Sequence, residues 1–189
     1  MEILLSVLLG VGLSSAAGFR IFVPLLIVSL ATRFEFLEVT GGFSWLGSTT
    51  ALVIFAVATA VEILAYYVPW VDNALDAIAT PAATTAGVVL TAAVLTDVDP
   101  VVRWTLALLA GGGSATVFQG LTTGLRQLSS LTTLGFGNPV VATGEAAASA
   151  GLALLAIVVP VAAFALVVLL LWIAARRLLR RRRRAMAAA

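Results

Sequence analysis

Four charged side chains sit inside stretches that are otherwise apolar: Arg20, Glu62, Arg126 and Glu145. An arginine at bilayer depth costs about 2.5–3.5 kcal/mol on insertion scales, so it persists where it is paired, hydrated or holding an anion. Arg20 follows Ser15 and Gly18 and precedes Pro24, residue types that free backbone groups within an apolar helix. A helix that breaks at Gly18 would begin a new N-terminus beside Arg20. Free amides next to a guanidinium suit a phosphate or a carboxylate. The competing expectation is a buried Arg20–Glu62 ion pair. Either Glu62 or Glu145 could pair with Arg20 or Arg126, or carry protons.

Asp72 and Asp76 lie four apart, on one helix face, with Asn73 beside them. Such oxygens could hold a cation or relay protons, or simply solvate an interfacial helix anchored by Trp70. Gly137-Asn138-Pro139 offers carbonyls and an amide, or an ordinary turn and helix start. Gly10, Ser14 and Gly18 recur every four residues, as do Gly112, Thr116, Gly120 and Gly124. These are faces for close helix packing. The chain has no His, Cys or Lys, so imidazole and thiolate ligands, the usual general base and Schiff-base chemistry are excluded. No metal and no cofactor is expected, and no enzyme activity.

The elements that must position these residues are membrane helices. Hydrophobic residues make up 61% of the 189 and charged ones 11%, against roughly 45–50% and 25% in soluble proteins. A soluble domain of this size leaves too much surface in water to hide so much apolar side chain. The start lacks the basic n-region of a signal peptide, and its apolar run reads as the first membrane segment. Residues 3–32 would span roughly 45 Å as a helix, more than the ~30 Å hydrocarbon core. This element is expected to be tilted, broken near Ser15–Gly18, or re-entrant. Residues 33–48 form a polar connection and 49–68 a good span. Residues 71–81 read as a polar helix-like segment, and 82–96 as a short span. A turn at 97–100 precedes a second over-long element, 101–134, expected to break near Gly111–Ser114. A third, 140–175, contains Pro160.

The expected fold is an all-α integral membrane protein: a small polytopic bundle of about five membrane elements, residues 1–175, with broken or re-entrant helices. Residues 176–189 are a basic cytoplasmic tail. Seven of the 11 arginines lie there, while residues 1–175 carry four arginines against nine acids. The positive-inside rule places the C-terminus in the cytoplasm. Counting back through five crossings puts 33–48 and 97–103 inside, and the Asp72/Asp76 segment and N-terminus outside. If the long elements are hairpins, the N-terminus moves inside. The tail suits anionic lipid, not nucleic acid.

Gly12–Phe19 aligns with Gly111–Phe118 at four of eight positions, pairing Ser15 with Ser114 and Arg20 with Gln119. Two over-long segments with matching small-residue interruptions suggest a weak internal, possibly inverted, repeat of the transporter kind. Several motifs are more specific. They are Ala17-Gly18-Phe19-Arg20-Ile21-Phe22-Val23-Pro24, Trp45-Leu46-Gly47-Ser48, Pro69-Trp70-Val71-Asp72-Asn73 running on to Pro81, Ala110-Gly111-Gly112-Gly113, and Gly137-Asn138-Pro139 running on to Glu145. Together, over about residues 5–170, the chain resembles the bacterial membrane family called domain of unknown function 4126. The resemblance implies a multi-spanning bacterial membrane protein and supplies no catalytic residues.

The expected function is a small transporter in the bacterial inner membrane for an anionic substrate, phosphate-bearing or a lipid phosphate. Its binding residues would be Arg20, Gly18, Ser15, Gln119, Ser114, Arg126 and Asn138. Asp72, Asn73, Asp76, Glu62 and Glu145 would couple it to protons or cations. Its partners are membrane lipid, the substrate and a second copy in a homodimer. The alternatives are a scaffold or assembly protein, an ion channel, or a carboxylate-based membrane enzyme.

Overall fold

The computed structural model describes residues 2–133 and 136–187, and the side chains of all of these except 69, 70, 72–74, 76, 77, 178 and 181–187. Among them there are helices and turns and no strand. The helices are α1 (Glu2–Phe19), α2 (Phe22–Arg33), α3 (Thr49–Ala65), α4 (Pro69–Val94), α5 (Pro100–Leu106), α6 (Gly113–Thr133), α7 (Asn138–Val158) and α8 (Pro160–Ala187). Among the described residues, four stretches are long and apolar enough to cross a bilayer. They become five if the turn Gly41–Gly47 and α3, bent by 63°, count as one span. The architecture is compatible with a multi-pass membrane bundle.

Helix α1 is the axis of the bundle. Its residues Gly10 to Gly18 are all buried, so its middle is enclosed on every side. Close approaches fix the directions of its neighbours. Gly10 meets Thr91, and Gly87 meets Ser14, so α4 runs antiparallel to α1. Ser14 bonds Ser114 at 2.8 Å and Gly18 lies against Phe118, so α6 runs parallel to it. Gly12 touches Ala156 and Ser149 bonds Ala16 O, so α7 is antiparallel. Past the Val159 break, Ala163 of α8 also lies at Gly12.

The first over-long element does break, at Arg20–Ile21 just beyond Gly18, and it folds back. Contacts from Ile21 and Phe22 to Glu62, from Ser29 to Leu46 and from Arg33 to Thr49 run α2 antiparallel to α3. Thr40 N bonds Ala93 O, which returns the chain to the end where α1 began. Helices α1 and α2 are thus a hairpin. The sequence left open either single crossings or hairpins at the long elements; the first is a hairpin and the second is not, and the hairpin puts the N-terminal residues, 34–48 and 96–103 at one common end.

The second over-long element does not break. Residues Pro100–Thr133 are continuous, and Ala107–Gly112 form a wide π turn where the glycines were expected to interrupt it. A π turn keeps its backbone bonded while it re-aims the helix. Here it lets Gly111 and Gly112 close on Gly87, Thr91, Val88 and Thr84. The segments 12–19 and 111–118 therefore differ, one leading into a hairpin and the other inside a continuous helix. They also run parallel, which is not the relation an inverted repeat demands.

Residues 71–81 and 82–96, expected as separate elements, mostly belong to the single 26-residue helix α4, with Pro81 inside it. Proline removes one ladder bond. Back-bonding by Thr84 to Thr80 O and Thr85 to Pro81 O, both 2.8 Å, accompanies it without ending the helix.

Candidate site at the helix break

A helix of 18 residues is about 27 Å long. Helix α1 therefore carries Arg20 most of the way across an apolar layer of ~30 Å, not to the middle of a 30-residue element as the sequence suggested. Four helices converge on it there. Arg20 Nη2 lies 3.0 Å from Glu145 Oε2 and donates to Ala142 O at 3.1 Å. From α6, Arg126 Nε lies 3.2 Å from Glu145 Oε1. From the C-terminal end of α3, Tyr66 places its ring under both cations, 3.8 Å from the Arg20 guanidinium carbon and 4.4 Å from that of Arg126. Arg20, Arg126 and Glu145 are 1%, 2% and 5% exposed. Two guanidiniums share one carboxylate, and the aromatic face supplies further negative potential. Arg20 Nε and Nη1 are buried without a hydrogen-bond acceptor among the described residues.

The expected Arg20–Glu62 pair is not formed. Glu62 instead accepts from Ile21 N at 2.8 Å through Oε1 and from Phe22 N at 3.0 Å through Oε2. The physical reason lies in the break itself. A new helix start leaves unpaired amides and a positive dipole end, and Ile21 has no side-chain oxygen to cap it. A carboxylate from α3 does so. Both halves of the anion site read from the sequence, the guanidinium and the helix N-terminus, are thus present, and each is held by one of the protein's own carboxylates.

The other candidates divide. Gly18 belongs to the site as a spacer: a Cβ there would stand 2.5 Å from Phe118 Cβ and 2.6 Å from Ala115 O. It is the absence of a side chain that lets α1 deliver Arg20 against α6. Gln119, buried beside Gly18, donates to Thr123 at 3.2 Å. Ser114 bonds Ser14 and Gly111 O, about three turns before Arg126 on α6 and so away from the cluster. Ser15 Oγ is buried without a partner among the described residues. Asn138 exchanges hydrogen bonds with Ser130, tying the start of α7 to α6. The side chains of Asp72, Asn73 and Asp76 lie outside the described residues; their backbone forms the first turns of α4. Of the second small-residue stripe, Gly112 and Thr116 pack on α4, while Gly120 and Gly124 face open space.

Sequence reasoning missed Tyr66 and Ser149. Each lies four residues beyond a buried acid, Glu62 and Glu145, and so on the same helix face. Ser149 Oγ donates to Ala16 O at 2.8 Å, in the last turn of α1. That spacing was the available signal.

Beside the cluster, α3 leans on α2 while α4 packs on α1 and α6. An apolar groove of about 620 Å³ opens between α3 and α4, lined by Ile21, Phe22, Val57, Glu62, Tyr66 and Ile78 among others. Along the same wall it adjoins a second hollow of about 540 Å³ that shares Ile21, Phe22 and Ile78 and extends to Leu25 and Pro81.

The chain belongs to the family described as domain of unknown function DUF4126, whose pattern matches residues 7–180. No curated protein and no solved structure matches it.

Proposed function

Starting from that membership, we propose that the protein is a small membrane transporter for an anionic substrate, with Arg20 and Arg126 as the anion seat and Glu145 as its exchangeable counter-ion. The observation that carries this reading is the convergence of two buried guanidiniums on one carboxylate at a broken helix. Buried ion pairs are seldom needed for stability, since apolar residues of similar volume serve as well or better. Charges within apolar helices are instead the usual mark of a substrate or proton path. An incoming anion takes the place of the Glu145 carboxylate, which swings away or takes up a proton. Protonation of Glu145 keeps the charge of the loaded site equal to that of the empty one when the anion carries a single negative charge, so one proton accompanies each monoanion.

In this reading the membrane is the bacterial inner membrane. The end holding residues 34–48 and 96–103, with Arg33 and Arg103, faces the cytoplasm beside the basic tail. The break at Arg20 then opens toward the opposite side. No chemistry on the substrate is proposed.

Inorganic phosphate is a direct probe. Titrated into the purified protein, it should be bound, seen as a calorimetric signal or a rise in Tm. Arg20→Lys and Arg126→Lys should each lose it while remaining folded, because a point charge does not reproduce the planar fork. Full binding by both variants would refute the seat. A second reading, a non-transporting scaffold, draws on a specific observation: the charged core is paired, and the groove that reaches Tyr66 is apolar. A folded wild type that binds no anion would favour it.

A further inference from the structure

The groove between α3 and α4 and the start of α2 share residues. Ile21 and Phe22 line the groove, and their amides are the two that Glu62 caps. Tyr66 lines it as well and carries both guanidiniums on its ring. One apolar groove at the side of the bundle therefore reaches Glu62 and the two residues whose amides it caps, and Arg20, with two nitrogens lacking acceptors among the described residues, lies buried behind Tyr66. An apolar tail and an anionic head match these two parts in that order. A free, fully hydrated anion would have no use for the apolar wall.

We infer that the substrate is a lipid carrying a phosphate monoester, which enters from the bilayer between α3 and α4, lays its chain along Val57, Val61 and Ile78, and sets its phosphate on the Ile21 and Phe22 amides and Arg20 in place of Glu62. This rests on the anion-transporter reading, names the source of the anion, and extends the seat from Arg20, which Glu145 faces, to the two amides that Glu62 caps. Oxygens of a phosphate accept from amides at a helix N-terminus as a carboxylate does, and they can also reach Arg20 Nε and Nη1. Helix α3 carries Glu62 and Tyr66 and has α2 as its main support, so an outward shift of α3 would withdraw the carboxylate and widen the groove together.

The test uses the full chain in phosphatidylcholine nanodiscs doped with a minor fraction of phosphatidic acid, with lipids retained on the protein counted by native mass spectrometry. Inorganic phosphate binding is followed in parallel by phosphorus NMR. Phosphatidic acid should be retained about tenfold over phosphatidylcholine. Ala58→Trp and Val57→Trp, which fill the groove without touching the amides or arginines, should reduce retention to the phosphatidylcholine level and leave inorganic phosphate binding intact. Val57 is 58% exposed, so its variant folds even if Ala58→Trp does not. Equal retention of both lipids, with inorganic phosphate still bound, would overturn the lipid inference and spare the anion seat. Loss of both signals in the wild type would overturn the seat as well.

Discussion

Helix α1 meets its neighbours in two different ways along its length. Between Gly10 and Gly18 it is held by small residues and hydroxyls: Thr91 donates to Gly10 O at 3.1 Å, and Ser14 bonds Ser114 at 2.8 Å. These contacts put backbones close together, as packing without a hydrophobic driving force requires. Two residues further on, at the break, α1 meets α3, α6 and α7 through a carboxylate, two guanidiniums and an aromatic ring. The first region offers nothing an outside molecule could replace, because its partners are backbone atoms and short hydroxyls at contact distance. In the second, each carboxylate holds a position that another anion could take. Close packing below keeps Arg20 in register, and charged contacts above give it a carboxylate partner that another anion could replace.

Substitutions can break that contrast. The largest loss is expected for Glu145→Ala, which removes the carboxylate that both buried guanidiniums face and should cost about 3–5 kcal/mol. Thermal unfolding in detergent checks it, and Arg20→Ala combined with Glu145→Ala should lose less than the two single changes summed. Next is Gly18→Ala, where the new methyl meets Phe118 and Ala115 O. Overpacking of this kind should cost about 1–3 kcal/mol and shift Arg20 off its partners, lowering Tm and phosphate binding together. Glu62→Ala removes the cap of α2, for about 1–2 kcal/mol. It should, however, raise anion binding, since two amides are then vacated. A lowered Tm with unchanged binding would show that this carboxylate is only structural. Smallest is Gly120→Ala, with no neighbour near the added methyl and an expected change within about 0.5 kcal/mol. A large loss there would mean that this outward face is covered by another chain.

Much of this contrast was legible in the residues. Excess length plus Gly18 and Arg20 marked the first break, and the four-residue spacing of Gly10, Ser14 and Gly18 marked the packed face. Topology was legible only as two alternatives, because a hairpin and a single crossing share the same hydropathy. The glycines at 111–113 announced an irregularity but not its kind, since both a break and a π turn relieve a close approach to α4. The partner of Arg20 was open for a similar reason. Charge alone makes Glu62 and Glu145 equivalent. What separates them is that the new helix start needs an acceptor, a demand that exists only once the chain has folded. Tyr66 carried no charge to attract notice, though its spacing from Glu62 did place it on the same face.

The exchange of Glu145 for an outside anion is the centre of the account, and it is tested most directly by titrating inorganic phosphate into Glu145→Gln beside the wild type. The neutral amide keeps the volume and leaves two guanidiniums without their carboxylate. The account predicts phosphate binding at least about tenfold tighter than in the wild type, lost again in Glu145→Gln combined with Arg20→Lys. A folded Glu145→Gln protein that binds phosphate no better than the wild type would contradict it.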